Sequence, residues 1–309
     1  MKKTLVLYET YYGTTRKAAQ YFSKIAGNVK LLNVSDTLND LSCYDNLVLF
    51  FAFHGYQTAF DIKEYLKSVK DQLKSKKVIL FGVGLYKKDL ENYCQDIEKS
   101  MGRDADRIGF IEGQLRVNEL TASDKEVLSN FLGNHNMHLM DMGKLKLEEV
   151  CSLACSFRDI LNEIDNKLDD FKLKSEIENY LEKHNTCTLA TGYGDYVRAT
   201  PIEYIYYKDN FYFITEGGYK FNGILQNSNV SIAIYDEYTG MNSLKGLQVT
   251  GQATLIEINS ELYNKVMDYK GIKYANIPID MNILEVKPLK FEFLNSDFKK
   301  LNADAKQIL

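Results

Sequence analysis

The chain has 309 residues, 45% hydrophobic and 26% charged, with a formal net charge of −4. That length suggests two domains and that balance a buried core, while the negative charge and the lack of a long basic block exclude a general nucleic-acid binder, which needs a positive face. No run approaches the roughly 18 continuous apolar residues of a membrane span, and the opening MKKTLVLYET is too short an apolar run, interrupted by Glu9, for a signal peptide, so a cytoplasmic location is expected.

In chain order, Thr4 to Glu9 is β-branched and apolar, the mark of a buried strand. Residues 14–27 then place Ala18, Ala19, Phe22, Ile25 and Ala26 at helical spacing, and Gly27-Asn28 ends that helix. Val29 to Val34 predicts a second strand, NLVLFFAF a third that is buried on both faces, and a helix follows over about 59–73. KKVILFGVG is a fourth strand followed by a helix over 88–101, RIGFIEGQL a fifth, and a helix over 123–132 closes the set. Alternating strands and helices predict an α/β doubly wound parallel sheet over residues 1–140.

Residues 141–171, with the run LEEVCSLACSFRDILNEIDNKLDDF, read as a connecting helical segment. From residue 172 to 309 the pattern changes, and Pro201, Pro278 and Pro288, the three prolines of the chain, all lie there. A short helix over 174–184 precedes a strand over Thr186 to Thr191, a turn at Gly192-Tyr193-Gly194-Asp195, and one long strand from Tyr196 to Tyr207. Lys208-Asp209-Asn210 is another turn; Phe211 to Thr215, Val230 to Tyr235 and Leu247 to Ile258 are further strands, with a short helix over Lys220 to Gln226. Close-spaced antiparallel strands of this kind predict a small barrel. Cys43, Cys94, Cys151, Cys155 and Cys187 are odd in number and scattered, as reduced thiols are. His135, His138 and Asp141, with Cys151 and Cys155, have metal-like composition, but the cysteines lack a knuckle turn and no metal is expected.

Ligands of doubly wound sheets bind at the carboxyl ends of the strands. The first such end is Thr10-Tyr11-Tyr12-Gly13-Thr14-Thr15. No Gly-Lys-Ser/Thr closes it and a single glycine stands where a dinucleotide loop has three, so it is neither a P-loop nor a dinucleotide fingerprint. A turn at Gly13, threonine hydroxyls and free backbone N–H groups at a helix start suit one terminal phosphate. The next two ends, Ala52-Phe53-His54-Gly55-Tyr56 and Gly82-Val83-Gly84-Leu85-Tyr86, combine glycines with rings able to stack on a flat heterocycle. On these residues the first 135 positions resemble a flavodoxin-like domain, and EGQLRVNELTASDKEVLSNFL resembles the subgroup that includes flavodoxin-type protoporphyrinogen oxidases. The resemblance implies FMN, its phosphate held by Thr10, Gly13, Thr14 and Thr15, with Tyr12 in the same cofactor-binding loop, and its ring between Phe53, His54, Gly55 and Tyr56 on one side and Gly84 and Tyr86 on the other. Tyr12 departs from a common flavodoxin pattern, which has threonine there.

The second half shows LAT, a turn, Arg-Ala-Thr-Pro, a turn, FYFIT and then GYKFNGILQNSNVSIAI. In that order these features resemble the pyridoxamine 5′-phosphate oxidase-like split barrel over residues 172–295. That family generally binds FMN at the interface of a homodimer, and some members hold haem or a deazaflavin instead. Carried over by position, Arg198 and Lys220 hold the phosphate, Thr200 and Pro201 border the ring, Thr215 bonds near its polar edge, and Gln248 joins them. Arg and Lys suit the task chemically, because both give charge-assisted hydrogen bonds and Arg can engage two oxygens at once.

The resulting expectation is an FMN-dependent oxidoreductase or electron-transfer flavoprotein with two flavin sites on one chain. The alternative is a carrier or binder of flavin, haem or another cofactor without turnover of its own. NAD(P)H, stacking transiently on an exposed flavin, or a protein electron donor is the expected partner; no catalytic acid or base can be named.

Overall fold

Strands with apolar residues at every position need cover on both faces, and the first sheet is built on that demand. The computed structural model describes residues 2–36, 38–133, 138–272 and 279–309, the side chain of Tyr56 excepted. His135 and Pro278 lie outside them. The chain forms two units, Met1–Glu163 and Ile164–Leu309.

The first unit runs β1 (Thr4–Glu9), α1 (Thr14–Ala26), β2 (Val29–Asn33), β3 (Asn46–Ala52), α2 (Phe60–Val69), β4 (Lys77–Gly84), α3 (Leu90–Met101), β5 (Arg107–Glu112), β6 (Gln114–Leu115), α4 (Ala122–Gly133), β7 (Met142–Gly143) and α5 (Leu147–Leu161). The sheet is parallel in the order β2-β1-β3-β4-β5. Alternate residues of each strand serve opposite faces. Leu5, Leu7, Leu47, Leu49 and Phe51 meet Ile62 and Leu66 of α2 and Ile97 of α3. Val6, Val48 and Phe50 meet Ala18 and Phe22 of α1, together with Val150, Ala154 and Phe157 of α5. The segment expected to connect the domains therefore contributes α5 to the core of the first unit, because its apolar face completes the cover over α1.

Lys76 shows how this unit handles a buried charge. It is 8% exposed and its ammonium donates to the Leu41 and Tyr44 carbonyls at 2.7 and 2.6 Å. Lys76→Met keeps the stem and removes the donor. It should cost about 2 kcal/mol, the price of unpairing a buried carbonyl, and urea unfolding measures it. A variant as stable as the parent would mean that water replaces the ammonium.

The second unit runs α6 (Asp170–Glu182), β8 (Thr186–Tyr193), β9 (Tyr196–Glu203), β10 (Ile205–Tyr207), β11 (Asn210–Thr215), α7 (Lys220–Ile224), β12 (Asn229–Tyr235), β13 (Lys245–Ile256), α8 (Glu261–Tyr269), β14 (Asn282–Asn295) and β15 (Lys306–Ile308). Its antiparallel sheet has the order β10-β11-β14-β13-β12-β8-β9, with β15 on β14. It curls as a half-barrel around Leu189, Phe211, Phe213, Ile232, Val249, Leu284 and Phe293. The long strand expected over 196–207 is interrupted. Tyr204 separates β9 from β10, which lie at opposite ends of the strand order. Its buried ring turns the corner, held by a bond from its N–H to the Asn185 carbonyl and from its hydroxyl to the Leu181 carbonyl.

Candidate functional site

In the first unit, Gly13 sits at φ 85°, ψ −14° immediately before α1. This is the left-handed region, where glycine carries no steric penalty, and the Gly13 N–H donates to Thr10 Oγ1 at 3.0 Å. No side chain caps α1 and its first turn holds no acidic residue, so its opening N–H groups, which lack intrahelical acceptors, are open to an anion. Thr15 is buried at the same turn. Thr10, Gly13, Thr14 and Thr15 thus share one tight turn at the start of α1.

Tyr12 turns to another partner. Its hydroxyl donates to Asp124 of α4 and accepts from the Thr121 N–H at 3.3 Å. That bond, with the His54 ring nearby, holds the Asp124 carboxyl below its usual range. His54 Nε2 lies 3.4 Å from Asp124 Oδ2, and its ring stacks on Tyr11 at 3.8 Å and 10°. Phe53 packs inward over the end of β4: a Cβ at Gly84 would lie 2.3 Å from its ring. Gly55 and Tyr86 remain exposed. Of the described rings assigned to flavin stacking, Phe53 serves packing, His54 already has a stacking partner and Tyr86 is exposed; the Tyr56 ring lies outside the described side chains.

Two groups that the sequence did not assign to a site join this cluster. Asp124 carries no local signal, since it is brought in from 112 residues beyond Tyr12. Glu9 did carry one, as the lone acid in an apolar strand. It is 5% exposed; Oε2 accepts the Ile62 N–H at 3.0 Å and Oε1 the Tyr11 hydroxyl at 3.3 Å. Burial, the largest influence, raises its pKa above the ordinary 4.5, and burial with the Glu9 charge pushes Tyr11 up to about 12. The folded protein therefore keeps the Glu9 proton to a higher pH than the unfolded chain does. Between the two values the unfolded state binds fewer protons, so stability falls as pH rises from about 4.5 through the folded value. Glu9→Gln should match the parent in stability below that window and exceed it above. Thermal melts of both proteins across the window test this; parallel curves would remove Glu9 as the cause.

In the second unit, Arg198 on β9 and Lys220 at the start of α7 come together. Lys220 is 6% exposed, and burial, aided by the charge of Arg198, lowers its pKa against the pull of Glu216. Its ammonium donates to the Gly217 carbonyl. The Arg198 guanidinium stands 5.3 Å over the Tyr219 ring, and the Tyr196 hydroxyl donates to the Tyr219 carbonyl at 2.7 Å. Two buried hydroxyls here, Thr191 Oγ1 and Thr200 Oγ1, have no partner. Two neighbouring cations beside unpaired hydroxyls fit a phosphate-bearing ligand. Thr215 is buried, its hydroxyl making long contacts of 3.4 Å to Glu216 and Gly217. Pro201 is exposed on β9, and Gln248 is exposed on β13 opposite Ala233 and Glu292.

Of the metal-like residues, Asp141 accepts the Val117 N–H at 2.8 Å, and Cys151 and Cys155 are free thiols on α5. No helix among the described residues is long and apolar enough to cross a membrane.

Comparison with known proteins agrees with this division. Residues 5–133 match the family model of the flavodoxin domain, and residues 173–295 that of pyridoxamine 5′-phosphate oxidase. No curated protein matches the chain. Similar solved structures include a heme-storage protein of Vibrio cholerae, with 17% identity, a TM-score of 0.33, and 38% of this chain and 89% of that chain covered. An FAD-binding protein of Mesorhizobium loti gives 17% identity, a TM-score of 0.30, and coverage of 38% and 89%. General stress protein 26 of Bacillus anthracis gives 20%, 0.32, and coverage of 39% and 92%.

Proposed function

From a chain that carries a flavodoxin domain and a pyridoxamine 5′-phosphate oxidase-like domain, we propose an FMN-dependent electron-transfer flavoprotein and oxidoreductase with one flavin site in each unit. The observation that carries this reading is the pairing of Arg198 with the buried Lys220 beside partnerless hydroxyls. The Thr10–Thr15 turn supports a second seat. FMN, when bound, supplies the redox chemistry; the chain holds its phosphate, by charge in the half-barrel and by neutral donors at α1. NAD(P)H or a protein donor supplies electrons.

The half-barrel acts as a homodimer in this reading. In support, it leaves Tyr193, Val197, Tyr219, Leu225, Tyr235 and Tyr238 more than half exposed, side chains with apolar surface that a second copy could cover.

The deciding experiment is cofactor identity and stoichiometry on purified protein by absorbance and mass spectrometry, followed by turnover with NAD(P)H and a quinone or flavin acceptor. Two FMN per chain with turnover is expected. Haem bands in place of flavin bands overturn the cofactor, and flavin without turnover reduces the protein to a carrier.

A further inference from the structure

Thr191 of β8 pairs directly with Arg198 of β9. Paired residues leave the same face of an antiparallel ladder, with Cβ atoms about 5 Å apart. Thr200 stands two residues beyond Arg198 on that face, opposite Leu189. Thr191 is 4% exposed, and its hydroxyl is buried without a hydrogen-bond partner. Buried polar groups are nearly always paired, so an orphan needs an explanation.

Helix α7 packs against the Thr191 side chain at Gly223. A Cβ at Gly223 would lie 3.1 Å from Thr191 Oγ1, so glycine is what lets the backbone approach. Lys220 stands one turn earlier on the same helix, near enough to Arg198 for the two charges to oppose each other. Arg198 does not satisfy the hydroxyl; its guanidinium lies over Tyr219 instead. An oxyanion bearing several acceptor oxygens answers all three features at once, since it neutralises two cations and accepts from a neutral hydroxyl.

We propose that Thr191 is a further ligand-binding residue of the half-barrel, its hydroxyl donating to an oxygen of the phosphate monoester that Arg198 and Lys220 attract. The assignment rests on reading that site as a phosphate seat.

The test uses the full chain carrying Gly13→Asp, which silences the loop at α1, and follows flavin fluorescence. Thr191→Val removes the hydroxyl at constant shape; Thr191→Ser keeps it. Thr191→Val should weaken FMN about tenfold and leave riboflavin, which has no phosphate, unchanged, while Thr191→Ser stays within about twofold of the parent. The flavin-free Thr191→Val protein should melt at the same temperature as its parent or higher, because an unpaired buried hydroxyl has gone. A purely structural Thr191 would lower the melting temperature and weaken both flavins alike. Either that outcome, or unchanged FMN affinity in a protein that prefers FMN to riboflavin, overturns the role of Thr191 alone. A parent that binds no flavin at the half-barrel, or shows no such preference, overturns the phosphate seat and Thr191 with it.

Discussion

Arg198→Ala and Lys220→Ala should each weaken FMN at the half-barrel by roughly ten- to a hundredfold and leave riboflavin unaffected. In the proposed site each variant loses a charge-assisted hydrogen bond to the FMN phosphate, worth about 1.5–3 kcal/mol. The two cations differ in their surroundings. Lys220 is 6% exposed and disfavoured as a cation by burial, and its ammonium bonds the Gly217 carbonyl. Arg198 is exposed, and salt screens exposed charges most strongly. Added salt should therefore weaken FMN at the half-barrel more than at α1, where the donors are neutral, and Arg198→Ala should flatten that dependence more than Lys220→Ala. Fluorescence titrations at several salt concentrations measure all of this. If both variants bind FMN as the parent does, the phosphate lies elsewhere.

Gly13→Asp should abolish flavin binding by the first unit while the fold persists. A Cβ at Gly13 would meet nothing within 4 Å, so the new side chain enters open space. Its backbone cost is that of holding φ at 85°, about 1–2 kcal/mol and less for aspartate than for most residues. The carboxylate would then face the phosphate at the helix start, where like charges repel. Gly13→Ala is the control: it carries similar strain without the charge and should retain part of the affinity. Flavin stoichiometry should fall by one per chain in Gly13→Asp with an unchanged circular dichroism spectrum. A full flavin complement in that variant would show that the loop holds no phosphate.

Much of the first sheet is legible because its demand is local. Leu47 to Phe51 are apolar at consecutive positions, which only burial on both faces satisfies, and the intervening helices declare their own period. The loop at Gly13 is legible for the same reason, since a turn, hydroxyls and a helix start are adjacent in sequence. The surroundings of that loop are not. Tyr11 stacks on His54 and Tyr12 bonds Asp124, contacts between segments that only the finished sheet brings together. Phe53 resembles a stacking ring in sequence, yet Gly82 and Gly84 leave room for it beside β4, and packing takes it inward.

In the second unit, Tyr196 to Tyr207 has one continuous β pattern, and nothing local marks Tyr204 as the corner. The break follows from closure, since β9 and β10 must reach opposite ends of one sheet. Strand β14 escaped notice because half-buried positions and Pro288 blur its alternation, although it joins β11 to β13.

That corner also bears on how the protein behaves when concentrated. A sheet edge presents unpaired N–H and C=O groups, a template for aggregation through added strands. Here the two terminal strands are consecutive stretches of one segment, joined through Tyr204, so the ends of the sheet are drawn towards each other. One end is three residues long, and the other carries Pro201, which has no N–H to offer, and the charged Arg198 and Glu203 on the same strand. Neither is a good template for a foreign strand. Fibril-like growth along its edges is discouraged by the same tyrosine that turns the chain.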